Sequence, residues 1–319
     1  MQQDMIYVYE VYKAGSFSKA AQKLYVSQPA LSIAIKKIED AYGMPLFDRN
    51  QKPLALTEAG ELYIQAIETI RQTEEDLSHH INDLTNLCSG HLTIGATHYF
   101  NAYVLPFAMH IFSEQYPMIN ISLKEGSSNE MLDRLLDGEL DMIFMSGTID
   151  KSQFRTDKIF DDTILLAVPK HYSINNHLKA YSLTVQDIIT NNHQAPNVPL
   201  VPLAEFGDVP FLLLTSGNNL RKRSELMCQD ANFQPNIIME LEQLVTSYHL
   251  AEHGIGAAFI SDLLAKKNPD SNLLYYKLDP TLSKRNFYAV THKKRYLSIP
   301  SKTFIKTMKL SQNYVPTET

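Results

Sequence analysis

The first part of the chain has apolar residues at helical spacing. Met5, Val8 and Tyr12 stand three and four residues apart, which predicts a first helix. Ala20 and Leu24 lie on one face of a predicted second, short helix. The small and apolar side chains of that face would let the second helix pack closely against the helix that follows it.

A third helix is expected to begin at Ser27, which is a favourable N-cap, with Pro29 in its first turn, where a missing N–H costs nothing. An apolar stripe at helical spacing faces inward and comprises Leu31, Ala34, Ile35 and Ile38. Polar and cationic groups dominate the face left outside, which comprises Gln28, Pro29, Ser32, Ile33, Lys36 and Lys37. Amide, hydroxyl and ammonium groups near a helix N-terminus can bond base edges and phosphates in a major groove. The pattern therefore predicts a DNA-reading helix.

Two short strands are expected after this helix, with Arg49 at the first strand and Lys52 between the two. They would form a wing, from which both side chains could reach DNA phosphates. Helix, turn, helix and wing together predict a winged helix-turn-helix domain over residues 1–58.

Thr57 is expected to cap a long helix that runs to about Leu87. Its seam steps by four and three residues through Tyr63, Ile67, Ile70, Glu74, Leu77, Ile81, Leu84 and Cys88. This is a heptad pattern with one polar breach at Glu74. At ~1.5 Å per residue the helix would span roughly 45 Å. We expect residues 59–88 to join a homo-oligomer, and packing of the helix against its own domain is the alternative.

From His91 onward, apolar strands alternate with helical segments, among them one amphipathic helix expected from Asn101 to Gln115. This alternation predicts a parallel sheet covered by helices. A second unit of the same kind begins near Thr163. After residue 265, two strands and a last helix have no partners of their own, and the simplest topology returns them to the first unit. The fold class expected is thus α/β overall, with two lobes in residues 89–319. Lobe I comprises about 89–161 and 266–319, and lobe II about 162–265.

Ligands of open α/β sheets bind beyond the carboxyl ends of the strands, where helix N-termini converge. Hydroxyl, amide and basic side chains occupy the segments expected there, namely Thr97, His98, Ser127, Ser128, Ser146, Ser216, Asn219 and Arg221. Free N–H groups at helix starts favour an anion. We therefore expect a small, anionic effector between the lobes, although each of these side chains could also be an ordinary helix cap.

The chain closely resembles the LysR-type transcriptional regulators. The resemblance is strongest in Gly15-Ser-Phe, Ala20-Ala21, Val26-Ser-Gln-Pro-Ala-Leu-Ser32, Pro45-Leu-Phe and Leu56-Thr-Glu-Ala-Gly60. It implies a dimerising linker helix and an effector domain similar to the type 2 periplasmic binding proteins. Family members often have Arg or another polar residue where this chain has Ile33, so that position would contact a thymine methyl group or nothing.

The net charge of −6 is unusual for a DNA-binding protein. Residues 1–58 hold seven Lys and Arg against six Asp and Glu, so the negative charge lies in the remainder. The basic side chains of the N-terminal part cluster on the presumed DNA face, where local charge outweighs the total. The absence of a signal pattern and of any long apolar run predicts a cytoplasmic protein without membrane contact.

Cys88 and Cys228 are too few for a disulfide scaffold and fit a reducing compartment. Buried apolar use of Cys88 on the helix seam is favoured over a redox role. Cys228, in a charged neighbourhood, has the better claim to reactivity.

One short motif favours a different class of protein. His249, Glu252 and His253 match the H-x-x-E-H pattern of a zinc protease class. The following Gly-Ile-Gly and strand indicate ordinary α/β packing instead, and no third ligand stands out. We expect neither a metal nor a cofactor.

The sequence as a whole predicts a LysR-type regulator rather than an enzyme. Its partners would be double-stranded DNA, a small effector, further copies of the chain and, for an activator, RNA polymerase. The alternatives are a solute-binding protein, which would leave the first 58 residues unexplained, and a zinc hydrolase.

Overall fold

The computed structural model describes residues 3–51, 53–83 and 90–311 of the chain. The chain divides into two compact units, residues 1–84 and 85–319. Within the described ranges, no helix has the combination of length and hydropathy that a bilayer crossing needs.

The first unit is a winged helix-turn-helix followed by a long helix. Its elements are α1 (Gln3–Ala14), α2 (Phe17–Lys23), α3 (Gln28–Tyr42), the antiparallel strands β1 (Phe47–Asp48) and β2 (Ala55–Leu56), and α4 (Glu58–Asp83). The predicted stripe of α3 is confirmed, because Leu31 and Ile35 are fully buried and Ile38 is nearly so. They pack in one core with Val8 and Val11 of α1. Gly43, at a φ of +71°, ends α3 in the left-handed conformation that glycine adopts most readily.

The long helix begins as predicted, since the Thr57 hydroxyl accepts the N–H of Gly60 at 3.0 Å. The Thr57 N–H in turn donates to the carbonyl of Leu46, which fixes the start of α4 beside the wing. The described helix ends at Asp83. The seam positions Leu84 and Cys88 lie outside the described residues.

Over residues 90–311, the second unit contains ten strands. They are β3 (Gly90–Ala96), β4 (Ile119–Glu125), β5 (Met142–Ser146), β6 (Phe154–Pro169), β7 (Ser182–Leu183), β8 (Pro210–Leu214), β9 (Asn236–Leu241), β10 (Ala257–Ser261), β11 (Leu273–Lys277) and β12 (Lys284–His292). Its helices are α5 (His98–Tyr103), α6 (Leu105–Gln115), α7 (Ser128–Leu136), α8 (Ile174–His177), α9 (Val185–Ile189), α10 (Asn219–Asp230), α11 (Leu244–Glu252), α12 (Asp262–Lys266), α13 (Pro280–Ser283) and α14 (Ile299–Ser311).

Two lobes share one strand. The first lobe has the order β4-β3-β5-β12-β6, and the second continues β6-β10-β8-β9. Strands β3, β4 and β5 pair in parallel, as do β8, β9 and β10, which confirms the expected βα architecture. The 16-residue strand β6 pairs with β12 along its first part and with β10 along its second. The chain crosses between the lobes within β6 and again between β11 and β12.

Two expectations about these elements are wrong. The strand at Leu273–Lys277 does not return to the first lobe, because β11 pairs with the second-lobe end of β6 and with β7. The return begins only with β12, rather than at residue 266. The single helix expected from Asn101 to Gln115 is two helices, α5 and α6, which meet at Val104, just before Pro106 in the first turn of α6. Proline is tolerated in the first turn of a helix, but it has no backbone N–H to donate to a carbonyl of the preceding turn.

Gly60 packs against the wing so closely that no side chain fits there. A Cβ atom at this position would lie 2.0 Å from the carbonyl oxygen of Leu46. We expect Gly60→Ala to lower the free energy of unfolding of the first unit by about 1–3 kcal/mol, because overpacking outweighs the gain in helix propensity. Amide hydrogen exchange of residues 31–67 in the full chain would measure this change for that unit alone.

Glu61→Ala provides the matched control, since Glu61 is exposed in the same helical turn. It should change stability by less than about 0.5 kcal/mol. Equal exchange rates in the two variants would contradict the close contact between Gly60 and the wing.

Candidate functional site

The start of α3 is exposed and capped as the sequence predicted. The Ser27 hydroxyl accepts the N–H of Ala30 at 3.3 Å. Ser32 is half-buried, and Ile33 is 58% exposed. The other exposed side chains are Ser27, Gln28, Pro29, Lys36 and Lys37. The cap and the inward stripe hold the helix, and its outward groups remain available to a partner.

Arg49 has a structural partner that the sequence did not reveal. Its Nη2 atom donates to Glu39 Oε2 at 3.0 Å, and its guanidinium lies 5.1 Å above the ring of Phe17. Glu39 also accepts the N–H of Leu46 at 2.9 Å. Arg49 and Glu39 therefore attach the wing to α3, while nearly half of the arginine side chain stays exposed. Lys52 lies outside the described residues.

Tyr25 lies in the turn directly before α3 and was not singled out from the sequence. It has a φ of +55° and is 96% exposed. A tyrosine with positive φ is uncommon, and no sequence pattern marks it, because the turn conformation depends on how α2 and α3 pack. The turn therefore places a phenol group next to the capped end of the helix.

The second unit contains a cleft of about 550 Å³ at the carboxyl ends of its strands. Seven of the eight side chains expected there line it, namely Thr97, His98, Ser127, Ser128, Ser146, Ser216 and Asn219. Ser127 caps α7 by accepting the N–H of Glu130, and Asn218 caps α10 in the same way with Leu220. The volume of the cleft falls within the ~300–1,000 Å³ typical of small-molecule sites.

Arg221 differs from the other seven. Its guanidinium bonds Glu225 at 2.6 Å, Glu240 at 2.8 Å and the carbonyl of Leu214 at 2.7 Å, and it is absent from the cleft lining. The sequence placed it close behind Asn219, but its place on the helix directs it to two carboxylates of its own lobe. The geometry therefore gives Arg221 a packing role between α10 and β9.

The end of β5 in the first lobe contacts the start of α10 in the second lobe. Ser146, at the end of β5, donates through its hydroxyl to Asn219 Oδ1 at 3.4 Å, at the start of α10. Gly147 follows at a φ of +122°, and a Cβ there would lie 2.9 Å from Asn219 Nδ2. This approach requires glycine and joins the first lobe to the second.

The sequence did not reveal a buried polar chain that includes two residues of the cleft lining, Tyr99 and Arg285. The Tyr99 hydroxyl lies 2.8 Å from Ser261 Oγ, which bonds Asp162. Asp162 also accepts from Arg285 Nε at 2.5 Å. Tyr99 belongs to the first lobe and Ser261 to the second, while Asp162 lies on the shared strand β6. The chain therefore connects both lobes at their crossing.

Two buried aspartates, Asp162 of this polar chain and Asp262, have pKa values that move in opposite directions. Burial raises the pKa of Asp162, although Arg285 opposes the shift. Burial would raise the pKa of Asp262 as well, but hydrogen bonds from His193 and Lys266 hold it well below its usual range. Asp262 is therefore ionised and fully paired, whereas Asp162 depends on Arg285 for its charge compensation.

The lining of the cleft is more acidic than the sequence suggested. It includes the carboxylates of Glu125, Glu130 and Glu242 against the single guanidinium of Arg285. His98 lies with its Nδ1 3.2 Å from Glu125 Oε2. A purely anionic ligand would face three carboxylates in this cleft.

The H-x-x-E-H motif is bonded within its own helix end. His249 Nδ1 lies 3.3 Å from Glu252 Oε2, and His253 Nδ1 lies 2.8 Å from the carbonyl of His249. Among residues 3–51, 53–83 and 90–311, no cluster of three or more His, Cys, Asp or Glu side chains is arranged to hold a metal ion. The structure therefore explains the motif as the end of a helix.

The comparisons with known proteins cover nearly the whole chain. Residues 2–61 match the model of the bacterial regulatory helix-turn-helix proteins of the lysR family, and residues 86–311 match the LysR substrate binding domain. A Bacillus subtilis protein named as the uncharacterized HTH-type transcriptional regulator YcgK is 26% identical over 302 residues, which is 95% of this chain and 92% of that protein.

Two solved structures show the same fold. A full-length OxyR variant from Pseudomonas aeruginosa has 19% identity and a TM-score of 0.64, over 98% of this chain and 94% of that one. Full-length CbnR, solved in complex with its target DNA, has 18% identity and a TM-score of 0.59, over 98% of this chain and all of that one.

Cys228, expected to be the more reactive cysteine, is buried, and burial raises its pKa to about 12. At pH 8 only about one thiol in ten thousand would be ionised, and the thiolate is the reactive form. We predict that Cys228 in a Cys88→Ser background does not react with a disulfide reagent in the native protein and reacts fully after unfolding. Cys88 lies outside the described residues, and its replacement by serine leaves Cys228 as the thiol that the reagent reports. Rapid native labelling at Cys228 would contradict its burial.

Proposed function

The chain belongs to the LysR family of helix-turn-helix transcriptional regulators, and from that premise we propose that the exposed edge of α3 reads bases in a DNA major groove. The observation that carries the proposal is the capped helix start, at which an amide, a hydroxyl and two ammonium groups remain unburied. The Gln28 amide can pair with adenine through two bonds, and Ser32 can bond either base edge. Ile33 can contact a thymine methyl group.

Phosphate contacts would supply most of the affinity. Lys36 and Lys37 follow the base-reading residues on α3 and are exposed, so each could contact a phosphate. Arg49 would reach a phosphate with the part of its guanidinium that Glu39 leaves exposed, and we extend the same role to Lys52 of the wing. Binding of this kind weakens as salt concentration rises, because each contact releases counterions.

The test of base reading is Gln28→Ala in the full chain. We predict a loss of about 1–3 kcal/mol at DNA fragments selected by the wild-type protein, with little change on random DNA, because only the selected base pair loses a bidentate contact. Fluorescence anisotropy at fixed salt measures both affinities.

Gln65→Ala is the matched control, since this glutamine is exposed on α4. Equal losses for Gln28→Ala on selected and random DNA would show that Gln28 positions the protein without reading sequence.

We further propose that α4 forms a homodimer. Leu77 and Ile81 are 58% and 55% exposed one turn apart, and they line a shallow hollow with Glu74 and Ser78. Apolar side chains at these heptad positions are expected to pack against a second copy of the helix. Two copies would present two copies of α3 to a pair of half-sites.

Leu77→Glu should shift the protein toward monomer, because a carboxylate would be buried in the apolar seam. Sedimentation velocity over a concentration series measures the assembly. Gln65→Glu introduces the same charge at an exposed position of α4 outside the seam and should leave assembly unchanged. A Leu77→Glu protein that assembles like the wild type would contradict the proposed seam.

The cleft of the second unit is proposed to bind the effector of this regulator, with Thr97, Ser127, Ser128 and Ser216 among its contacts. Because Ser146 and Asn219 join the lobes across the cleft, a ligand there would change the equilibrium between lobe arrangements. The protein would then act in the cytoplasm as a regulator rather than an enzyme. As an activator it would also contact RNA polymerase.

A further inference from the structure

Arg285 has an unused hydrogen-bonding group in the cleft. Its side chain is only 4% exposed, and its Nε atom donates to Asp162. Its Nη2 atom is buried and has no hydrogen-bond partner within the part of the chain that the structure describes. Arg285 also lines the cleft, where its guanidinium carbon lies 4.9 Å from the ring centroid of Phe287. The guanidinium is thus bonded to Asp162 at Nε, while the hydrogen-bonding capacity of Nη2 is unused.

A buried N–H donor without an acceptor lowers the free energy of unfolding unless a ligand supplies the acceptor. On folding, such a donor gives up its hydrogen bonds to water and gains none in return. A buried charge that lacks a partner destabilises a protein strongly. Asp162 satisfies Arg285 at Nε and already offsets its positive charge. A ligand oxygen at Nη2 would complete the bonding of the guanidinium. Arg285 is one of the residues that line the cleft.

The remaining charges of the cleft are negative. Glu125, Glu130 and Glu242 line it, and Arg285 is the one Lys or Arg side chain among the described lining residues. Glu125 is close to His98, and Glu130 lies 4.0 Å from Arg134 at the edge of the ion-pair range. Glu242 is exposed. A ligand bearing only an anion would add negative charge beside these carboxylates.

We propose that the effector is a small zwitterion of the amino-acid type, whose carboxylate bonds Arg285 and whose ammonium group lies among Glu125 and Glu242. This inference rests on the proposed function of the cleft as the effector site. The N-termini of α7 and α10 open onto the same cleft and add N–H donors for the carboxylate end. The net-neutral ligand matches a cavity whose one guanidinium is already paired with Asp162.

The chemistry of the ligand can be tested on the wild-type chain alone. The free proteinogenic amino acids are compared in thermal-shift and calorimetric titrations with their N-acetyl and carboxamide derivatives. The inference predicts that at least one free amino acid binds and that removing either charge weakens binding about tenfold or more. Equal binding of the N-acetyl acid would overturn the ammonium contact, and equal binding of the carboxamide would overturn the carboxylate contact. If none of the amino acids binds, the inference fails.

Variants then locate the two ends of the ligand. Arg285→Gln and Arg285→Lys should lose affinity for the amino acid, and Glu242→Gln should lose it only for ligands that retain the ammonium group. Arg155→Gln and Glu205→Gln are the matched controls, since both residues lie outside the cleft lining and are exposed. Unchanged affinity in Arg285→Lys and Glu242→Gln, both folded by circular dichroism, would overturn the proposal.

The same titrations separate this inference from the proposed function. Shikimate and simple carboxylic acids are included as probes without an ammonium group. Their binding in the cleft, lost in Ser128→Ala, would keep the effector site and overturn the zwitterion. If the wild-type chain binds amino acids and Ser128→Ala, Thr97→Val and Arg285→Lys all retain full affinity, the ligand binds elsewhere and both proposals fail.

Discussion

The ion pair between Asp162 and Arg285 is the interaction on which the second unit depends. It joins β6, which belongs to both lobes, to the start of β12, where the chain returns to the first lobe. Both side chains are almost completely buried, so each requires the other for charge compensation. Ser261 and Tyr99 extend the pair into the two lobes. Any change in lobe arrangement must therefore keep or rebuild this polar chain, of which Tyr99 and Arg285 line the cleft.

The first unit uses a carboxylate for a similar purpose. Glu39 is nearly buried at the end of α3 and bonds backbone N–H groups of the wing together with Arg49. The helix that is proposed to read DNA bases and the wing that is proposed to contact DNA phosphates are thereby fixed to one another. In both units a buried acid sets the position of an arginine, and the exposed chemistry is arranged around that pair.

Local spacing explains why much of this was predictable. The Ser27 cap, the stripe through Leu31 and Ile35, and the polar ends of the parallel strands depend on neighbours a few residues away. Arg285 and Asp162 are 123 positions apart, and their pairing depends on how β12 returns to the sheet. From the sequence, β11 as well as β12 was assigned to the first lobe. The first half of β6 is polar, so it was not recognised as part of a long strand that pairs in both lobes. The ion pairs of Arg221 with Glu240 and of Arg49 with Glu39 were hidden for the same reason, since each partner lies on another element.

The central claim is that the exposed edge of α3 recognises particular duplex sequences. A gel-shift series with the intact chain, using fragments of its own genome at moderate salt with excess random competitor, tests it most directly. At least one fragment should remain bound when the others have been competed away. Equal release of every fragment would contradict sequence reading by this helix, whatever the cleft binds.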